Sequence, residues 1–270
     1  MGADRFGPLV SGEWLVEHLA EVRVVDVRWY LDGRSGRQAY ESGHLPSAVW
    51  LDTDRDLSAP ASPAAGRHPL PTPEAFAAAL GGAGIADGQP VVAYDDAGGS
   101  IAARLWWLLH VLGEPVAVLD GGLAAWPGGL TCDTPLFPRV QRPSRPWPAD
   151  RFVDADRVAS GDAVVLDART AERYAHGDPS IDPRPGHIPG ALSAPWGGNL
   201  DGTGRFLDSA ALRARYAAAD GGPAVAYCGS GVTACHDLLA LELAGHTDTA
   251  LYPGSWSQWG ADPSRPAETG

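Results

Sequence analysis

Of the three cysteines in the chain, Cys132, Cys228 and Cys235, one has neighbours that suit chemistry. Cys228 lies in Tyr227-Cys228-Gly229-Ser230-Gly231-Val232-Thr233-Ala234. An apolar run from Pro223 to Tyr227 leads straight into these small residues, and a helical pattern follows at once. The sulfur is therefore expected at the C-terminal end of a β-strand, just ahead of a helix N-terminus, where open α/β sheets bind ligands. Unpaired N–H groups and the positive end of the helix dipole favour a thiolate there. Gly229 and Gly231 let the backbone curl so that successive amides face inward as an anion nest. The chemistry such a site suits is nucleophilic attack by sulfur, and a persulfide, Cys-S-S⁻, is an anion the nest would hold.

Two other readings of the same residues have to be weighed. A buried cysteine in a glycine turn is a common and inert feature. A cysteine phosphatase also uses a strand–loop–helix cysteine, but with an arginine six positions later to bind phosphate. Here that position is Ala234, so charge on a transferring phosphoryl group would go unpaired. No two cysteines have Cys-x-x-Cys spacing, which argues against zinc, and an odd, sparse set does not make a disulfide framework. Cys235 lies two turns down the helix and reads as buried and inert. Cys132 reads as packed or incidentally exposed, with a redox partner as the alternative.

The elements that position Cys228 belong to a repeated unit. Val24-Val25-Asp26-Val27-Arg28 matches Val165-Leu166-Asp167-Ala168-Arg169. Gly43-His44-Leu45-Pro46-Ser47-Ala48 matches Gly186-His187-Ile188-Pro189-Gly190-Ala191. Val91-Val92-Ala93-Tyr94-Asp95 matches Ala224-Val225-Ala226-Tyr227-Cys228, and Asp120-Gly121-Gly122 with Trp126 matches Pro253-Gly254-Ser255 with Trp259. Matches in one order fix an internal duplication. Only the second copy has the cysteine; the first carries Asp95 there, as expected of one catalytic and one supporting domain. Thr72-Pro73-Glu74 predicts a helix start, Ala102 to Leu112 a helix, Ser209 to Ala218 another, and Val232 to Ala244 a last one stopped by Gly245. Strand–helix alternation predicts an α/β fold, each copy a mostly parallel sheet with helices on both faces. Prolines 135, 138, 143, 146 and 148 predict an extended, stiff connection. The expected division is 1–135 for the inactive copy, 136–150 for the linker and 151–270 for the catalytic copy.

The 270 residues, 44% hydrophobic and 20% charged, fit two such globular cores. A net charge of −13 argues against nucleic acid, and an anionic substrate would need a local positive site. The N-terminus lacks a basic region followed by an apolar run, so no signal peptide is expected, and no stretch is long enough to span a membrane. The expected location is the reducing cytoplasm.

The chain resembles the rhodanese superfamily over essentially its full length, as tandem rhodanese-like domains with the active one C-terminal. The two Gly-His-(Leu/Ile)-Pro-x-Ala segments and the Cys-Gly-Ser-Gly-Val-Thr-Ala loop carry the resemblance. The Gly-Ser variety looks like the 3-mercaptopyruvate sulfurtransferases, whereas thiosulfate-preferring relatives usually carry basic residues after the cysteine, and many bacterial members accept both donors. The resemblance implies that Cys228, Ser230 and an aspartate of the N-terminal domain form a catalytic set. Asp54 matches that aspartate by spacing from His-x-Pro, with Asp52 and Asp56 close by. It implies a substrate-binding Arg173 and a second arginine before Gly-His-Ile-Pro, for which Arg184 is the candidate. The amides of Gly229, Gly231, Val232, Thr233 and Ala234 would cradle the persulfide. Arg169, repeated as Arg28 in the inactive copy, reads instead as a structural ion-pair partner, and His44 and His187 as loop anchors. Trp106, Trp107, Trp126, Trp256 and Trp259 read as core, with Trp256 also able to wall the pocket.

The expected activity is transfer of sulfane sulfur from 3-mercaptopyruvate or thiosulfate, through a Cys228 persulfide, to a thiol or cyanide. The expected partners are a small anionic donor and a thiol or cyanide acceptor, thioredoxin among them, with no metal or organic cofactor. The competing class is a non-catalytic sulfur-carrier or regulatory binding protein on the same fold.

Overall fold

A computed structural model describes residues 7–270. Residues 1–6, which the reading of the N-terminus as lacking a signal peptide includes, lie outside the described residues.

The chain divides into two compact units. Among the described residues, one comprises 7–59, 71–147 and 202–205; the other comprises 60–70, 148–201 and 206–270. The division is not a single cut: the segment from Pro60 to Leu70 clusters with the C-terminal unit.

In the first unit the elements run β1 (Leu9–Val10), α1 (Gly12–His18), β2 (Arg23–Asp26), α2 (Gly36–Ser42), β3 (Val49–Trp50), α3 (Pro73–Gly82), β4 (Val91–Tyr94), α4 (Ala102–His110) and β5 (Val116–Leu119). The strands form one parallel sheet in the order β1-β5-β4-β2-β3. Alternate residues Val24, Val92, Tyr94, Ala117 and Leu119 pack with Leu15 of α1 and Tyr40 of α2. α4 lies against β4 and β5, with both Trp106 and Trp107 fully buried. α3 starts as its sequence predicts: Pro73 is the first helical residue, and the Thr72 hydroxyl accepts from the amide of Ala75. The proline-rich stretch stays with this unit as far as Trp147. Val140 donates to the Gly81 carbonyl, Arg23 stacks on Phe137, and Arg142 pairs with Glu114.

The second unit contains α5 (Ala155–Ala159), β6 (Val164–Asp167), α6 (Ala171–His176), β7 (Leu192–Ser193), α7 (Ser209–Arg215), β8 (Ala224–Tyr227), α8 (Ala234–Leu243), β9 (Thr249–Leu251) and α9 (Ser255–Trp259). Its parallel sheet has the order β7-β6-β8-β9, with β8 central and buried throughout. Val165, Val225, Tyr227 and Ala250 pack against Trp256 and Trp259 of α9, and α8 packs against β8 and β9. Burying a Val, Leu or Phe side chain contributes roughly 1.5–3 kcal/mol, so these faces hold each sheet to its helices.

The duplication extends to side-chain detail. Arg28 grips the Asp26 carboxylate and donates to the Gly43 carbonyl at 2.8 Å. Arg169 grips Asp167 and donates to the Gly186 carbonyl at 2.8 Å. His44 stacks on Tyr40 and His187 on Tyr174, each with Nδ1 against the tyrosine's carbonyl. These contacts fasten each Gly-His-x-Pro turn to its strand end. Three helices are shorter than the sequence predicts. α4 stops at His110, before Gly113 takes up a positive φ; α7 stops at Arg215, with a 3₁₀ turn beyond it. α8 begins at Ala234 because Val232 and Thr233 are still part of the loop that wraps the cysteine.

Candidate active site

The central strand β8 ends at Tyr227 and delivers Cys228 directly to the loop before α8. Cys228 is only 2% exposed, and backbone amides approach its sulfur. The amides of Ser230 and Gly231 point at Sγ from 3.4 and 3.1 Å. The loop can curl this way because its carbonyls are held from the neighbouring turn. Trp256 N donates to the Cys228 carbonyl at 3.0 Å and Ser257 N to that of Gly229 at 2.9 Å. The Cys228 amide donates to Ser255 Oγ at 3.2 Å. Gly231 has φ +82°, and a side chain there would fall 2.7 Å from the Pro253 carbonyl oxygen, so glycine is required. Beyond it, the amides of Val232, Thr233 and Ala234 have no protein acceptor among the described residues.

The first unit shows what this loop does with an anion. At the end of β4 stands Asp95, fully buried. Its carboxylate accepts from the amides of Ala97, Gly99, Ile101 and Ala102, each at 2.8 Å. Burial pushes the Asp95 carboxyl up and the four amides pull it back down. One copy of the fold thus fills its cradle with a built-in carboxylate, and the other places a sulfur there.

Two guanidinium groups stand over Gly229. A Cβ at that position would lie 2.9 Å from Nη2 of Arg173 and 2.9 Å from Nη2 of Arg67. Arg173 projects from α6 and forms a two-point ion pair with the buried Asp182, Nε to Oδ2 at 3.0 Å and Nη2 to Oδ1 at 2.5 Å. Its Nη1 has no protein partner among the described residues. Arg67 comes from the Pro60–Leu70 segment, with its amide on Ser257 Oγ at 3.0 Å and Nη1 on the Ile181 carbonyl at 2.8 Å. Burial lowers the Arg67 pKa, and negative charge at Cys228 opposes that shift. His68 follows, with Nδ1 2.7 Å from the Ser230 hydroxyl; both residues are buried.

The structure therefore brings Cys228, Ser230, Gly229, Gly231 and Arg173 together. Arg184 is engaged elsewhere. Its guanidinium donates to the carbonyls of Arg265 and Trp259 and faces the Trp256 ring, whereas the guanidinium neighbours of Gly229 are Arg173 and Arg67. Trp256 is fully buried in the core and donates from Nε1 to the Arg184 carbonyl. Asp54 belongs to the first unit, where its exposed carboxylate accepts from Trp29 Nε1 at 2.9 Å. Sequence reasoning missed Arg67 and His68. The available signal was the long irregular stretch between Leu51 and Thr72, since loops of that length in compact domains are commonly functional. Cys235 is buried with its thiol on the Gly231 carbonyl, and Cys132 is exposed; all three cysteines are unbridged.

Comparison with known proteins agrees with this geometry. The model of the rhodanese-like domain matches twice, over residues 11–128 and 155–262. A Pseudomonas aeruginosa protein named as a probable 3-mercaptopyruvate sulfurtransferase is 43% identical, covering 97% of this chain and 98% of its own. The Arabidopsis thaliana mitochondrial thiosulfate/3-mercaptopyruvate sulfurtransferase 1 is 32% identical, over 97% of this chain and 78% of its own. The crystal structure of SseA from Escherichia coli, a 3-mercaptopyruvate sulfotransferase, superposes with a TM-score of 0.80 at 32% identity, covering 93% of this chain and 99% of that one.

Proposed function

The chain belongs to the rhodanese-like family, and from that premise we propose how its residues carry out sulfur transfer. The protein is a sulfurtransferase that moves sulfane sulfur from 3-mercaptopyruvate or thiosulfate to a thiol or cyanide through a Cys228 persulfide. The observation that carries the assignment of Cys228 is the pair of amides aimed at its Sγ beneath two guanidinium groups.

In the first half-reaction the Cys228 thiolate attacks the donor's outer sulfur. A new S–S bond forms, and the donor's C–S bond in mercaptopyruvate, or its S–S bond in thiosulfate, breaks. The bonding pair leaves with pyruvate, first as its enolate, or with sulfite. Arg173 offers Nη1 to the donor's anionic group while Asp182 holds the rest of the guanidinium in place. Ser230, fixed by His68, supplies the proton that the pyruvate enolate needs and the sulfite does not. The third member of that set, by family resemblance, is Asp54. The persulfide's terminal sulfur then lies among the amides from Val232 to Ala234, as the Asp95 carboxylate lies among its four. In the second half-reaction a thiolate or cyanide takes the terminal sulfur and regenerates Cys228. Splitting one transfer into two displacements is the usual gain from covalent catalysis.

As sequence repeats the copies are taken as 1–135 and 151–270 with 136–150 joining them, a reading that the two family matches support, although the compact units exchange 60–70 and extend the first unit to Trp147. We place the protein in the cytoplasm, with a dithiol such as thioredoxin among its acceptors. Among the described residues, no helix is long and apolar enough to cross a membrane.

Release of pyruvate or sulfite, with cyanide as acceptor, tests the assignment. The expected result is turnover by the native protein and none by Cys228→Ser. Turnover by the serine variant, or none by the native protein with either donor, would refute it.

A further inference from the structure

We propose that Arg67 is a donor-binding residue that selects for compact dianionic sulfur donors of the thiosulfate class over carboxylate-bearing thiols. The inference rests on the sulfurtransferase reading above and adds a specificity determinant to it.

The loop from Gly229 to Ala234 contains no charged side chain, so any cation near the sulfur comes from elsewhere in the fold. Two arginines do so, Arg173 and Arg67. Arg173 is held by Asp182. Arg67 has no carboxylate partner in an ion pair among the described residues. Its Nη1 is on a backbone carbonyl, its Nε is buried without an acceptor, and its Nη2 stands over Gly229. It thus brings a guanidinium with no carboxylate at ion-pair distance to the residue next to the nucleophile, with Asp182 acting on it only from farther off.

The segment that carries it is secured for the task. The Arg67 amide is tied to Ser257, Gln258 reaches back to the Ala64 carbonyl at 2.6 Å, and His68 is tied to Ser230. Gly66, at φ +90°, fits against Gly254, where any side chain would come within 2.7 Å of a carbonyl oxygen. Gly229 leaves the space that both Nη2 atoms occupy.

The two donors place their charge differently. In thiosulfate the two negative charges are shared between the outer sulfur that is attacked and the three oxygens on the sulfur bonded to it, so attack by a thiolate brings three negative charges within a few bonds. In mercaptopyruvate the single carboxylate is separated from the sulfur by two carbons, and Arg173 suffices for it. An unpaired guanidinium beside Gly229 offsets the repulsion peculiar to the dianion.

The test is kcat/KM for thiosulfate and for 3-mercaptopyruvate, with cyanide as acceptor, in native protein, Arg67→Gln and Arg67→Lys. In Arg67→Gln the ratio of thiosulfate to mercaptopyruvate efficiency is expected to fall roughly 10- to 100-fold, the range for one charged hydrogen bond. Arg67→Lys keeps the charge and should hold that ratio within about threefold, which also serves if the glutamine variant does not fold. The salt dependence of the thiosulfate reaction should weaken in Arg67→Gln. Equal losses for both donors in Arg67→Gln, or no loss, would overturn the proposal while leaving sulfur transfer intact. Failure of the native protein on both donors would instead overturn the parent reading.

Discussion

Replacing Ser230 with alanine separates proton delivery from simple packing. Its hydroxyl lies 2.7 Å from His68 Nδ1, with Ser230 at 6% and His68 at 3% exposure, so water does not readily replace the lost contact. As a structural contact, a buried hydrogen bond of this kind is worth about 0.5–1.5 kcal/mol, or roughly 2- to 13-fold in rate if all of it were felt at the transition state. That loss would fall on both donors alike. If the hydroxyl delivers a proton to the departing enolate, its removal costs about 10²–10⁴-fold, and only where an enolate leaves. Ser230→Ala is expected to lower kcat for mercaptopyruvate at least about 100-fold and kcat for thiosulfate by less than about 10-fold. Steady-state release of pyruvate and of sulfite reads the two numbers on one preparation. Losses of equal size for the two donors would refute a proton-delivery role for Ser230. With Arg67→Gln the pattern runs the other way, so the two variants together divide the site into a part that serves the dianion and a part that serves the enolate.

Arg173→Ala should raise KM for mercaptopyruvate about 10- to 100-fold and also lower the melting temperature, because Asp182 is left buried without its two-point partner; unchanged kinetics would remove Arg173 from donor binding. Asp95→Asn puts an amide nitrogen among four backbone donors and should destabilise the first unit by about 1–3 kcal/mol in urea unfolding, whereas an unchanged midpoint would show that the four bonds do not matter. Asp237 in α8 is fully buried, and burial pushes its carboxyl up to about 7. The folded form therefore holds its proton more tightly than the unfolded chain, so this contribution to stability is full below the ordinary aspartate range and is lost as pH rises to about 7. Unfolding midpoints of the native protein should fall between pH 5 and pH 8 and those of Asp237→Asn should fall less; parallel profiles would contradict the assignment.

What was legible in the sequence was whatever is encoded locally. The buried strand from Ala224, the glycines at 229 and 231 and the helix after them specify a strand–loop–helix cradle within a few residues, and the structure has it. The repeated Asp-x-Arg could be read as structural because Arg28 and Arg169 recur where only one copy has a nucleophile, and both make the same grip on strand and turn. What was not legible depends on contacts far apart in the chain. Arg67 and His68 lie in a segment with neither helical nor strand periodicity, and they reach the loop from more than half the chain away. Arg184 matches the family arginine by its position before Gly-His-Ile-Pro, but its guanidinium is taken by carbonyls of the C-terminal stretch, which has no repeat pattern to announce it. Val232 and Thr233 suit a helix as residue types and so predict an earlier start for α8, whereas the cradle keeps them in the loop.

The claim on which everything else depends is that the sulfur of residue 228, and no other, becomes a persulfide. Peptide mass spectrometry of the native protein after brief exposure to thiosulfate or mercaptopyruvate, without acceptor, measures it directly. The expected result is a gain of one sulfur atom on the peptide holding Cys228, at one equivalent per chain, discharged on adding cyanide. An unmodified Cys228, or sulfur found instead on Cys132 or Cys235, would contradict it.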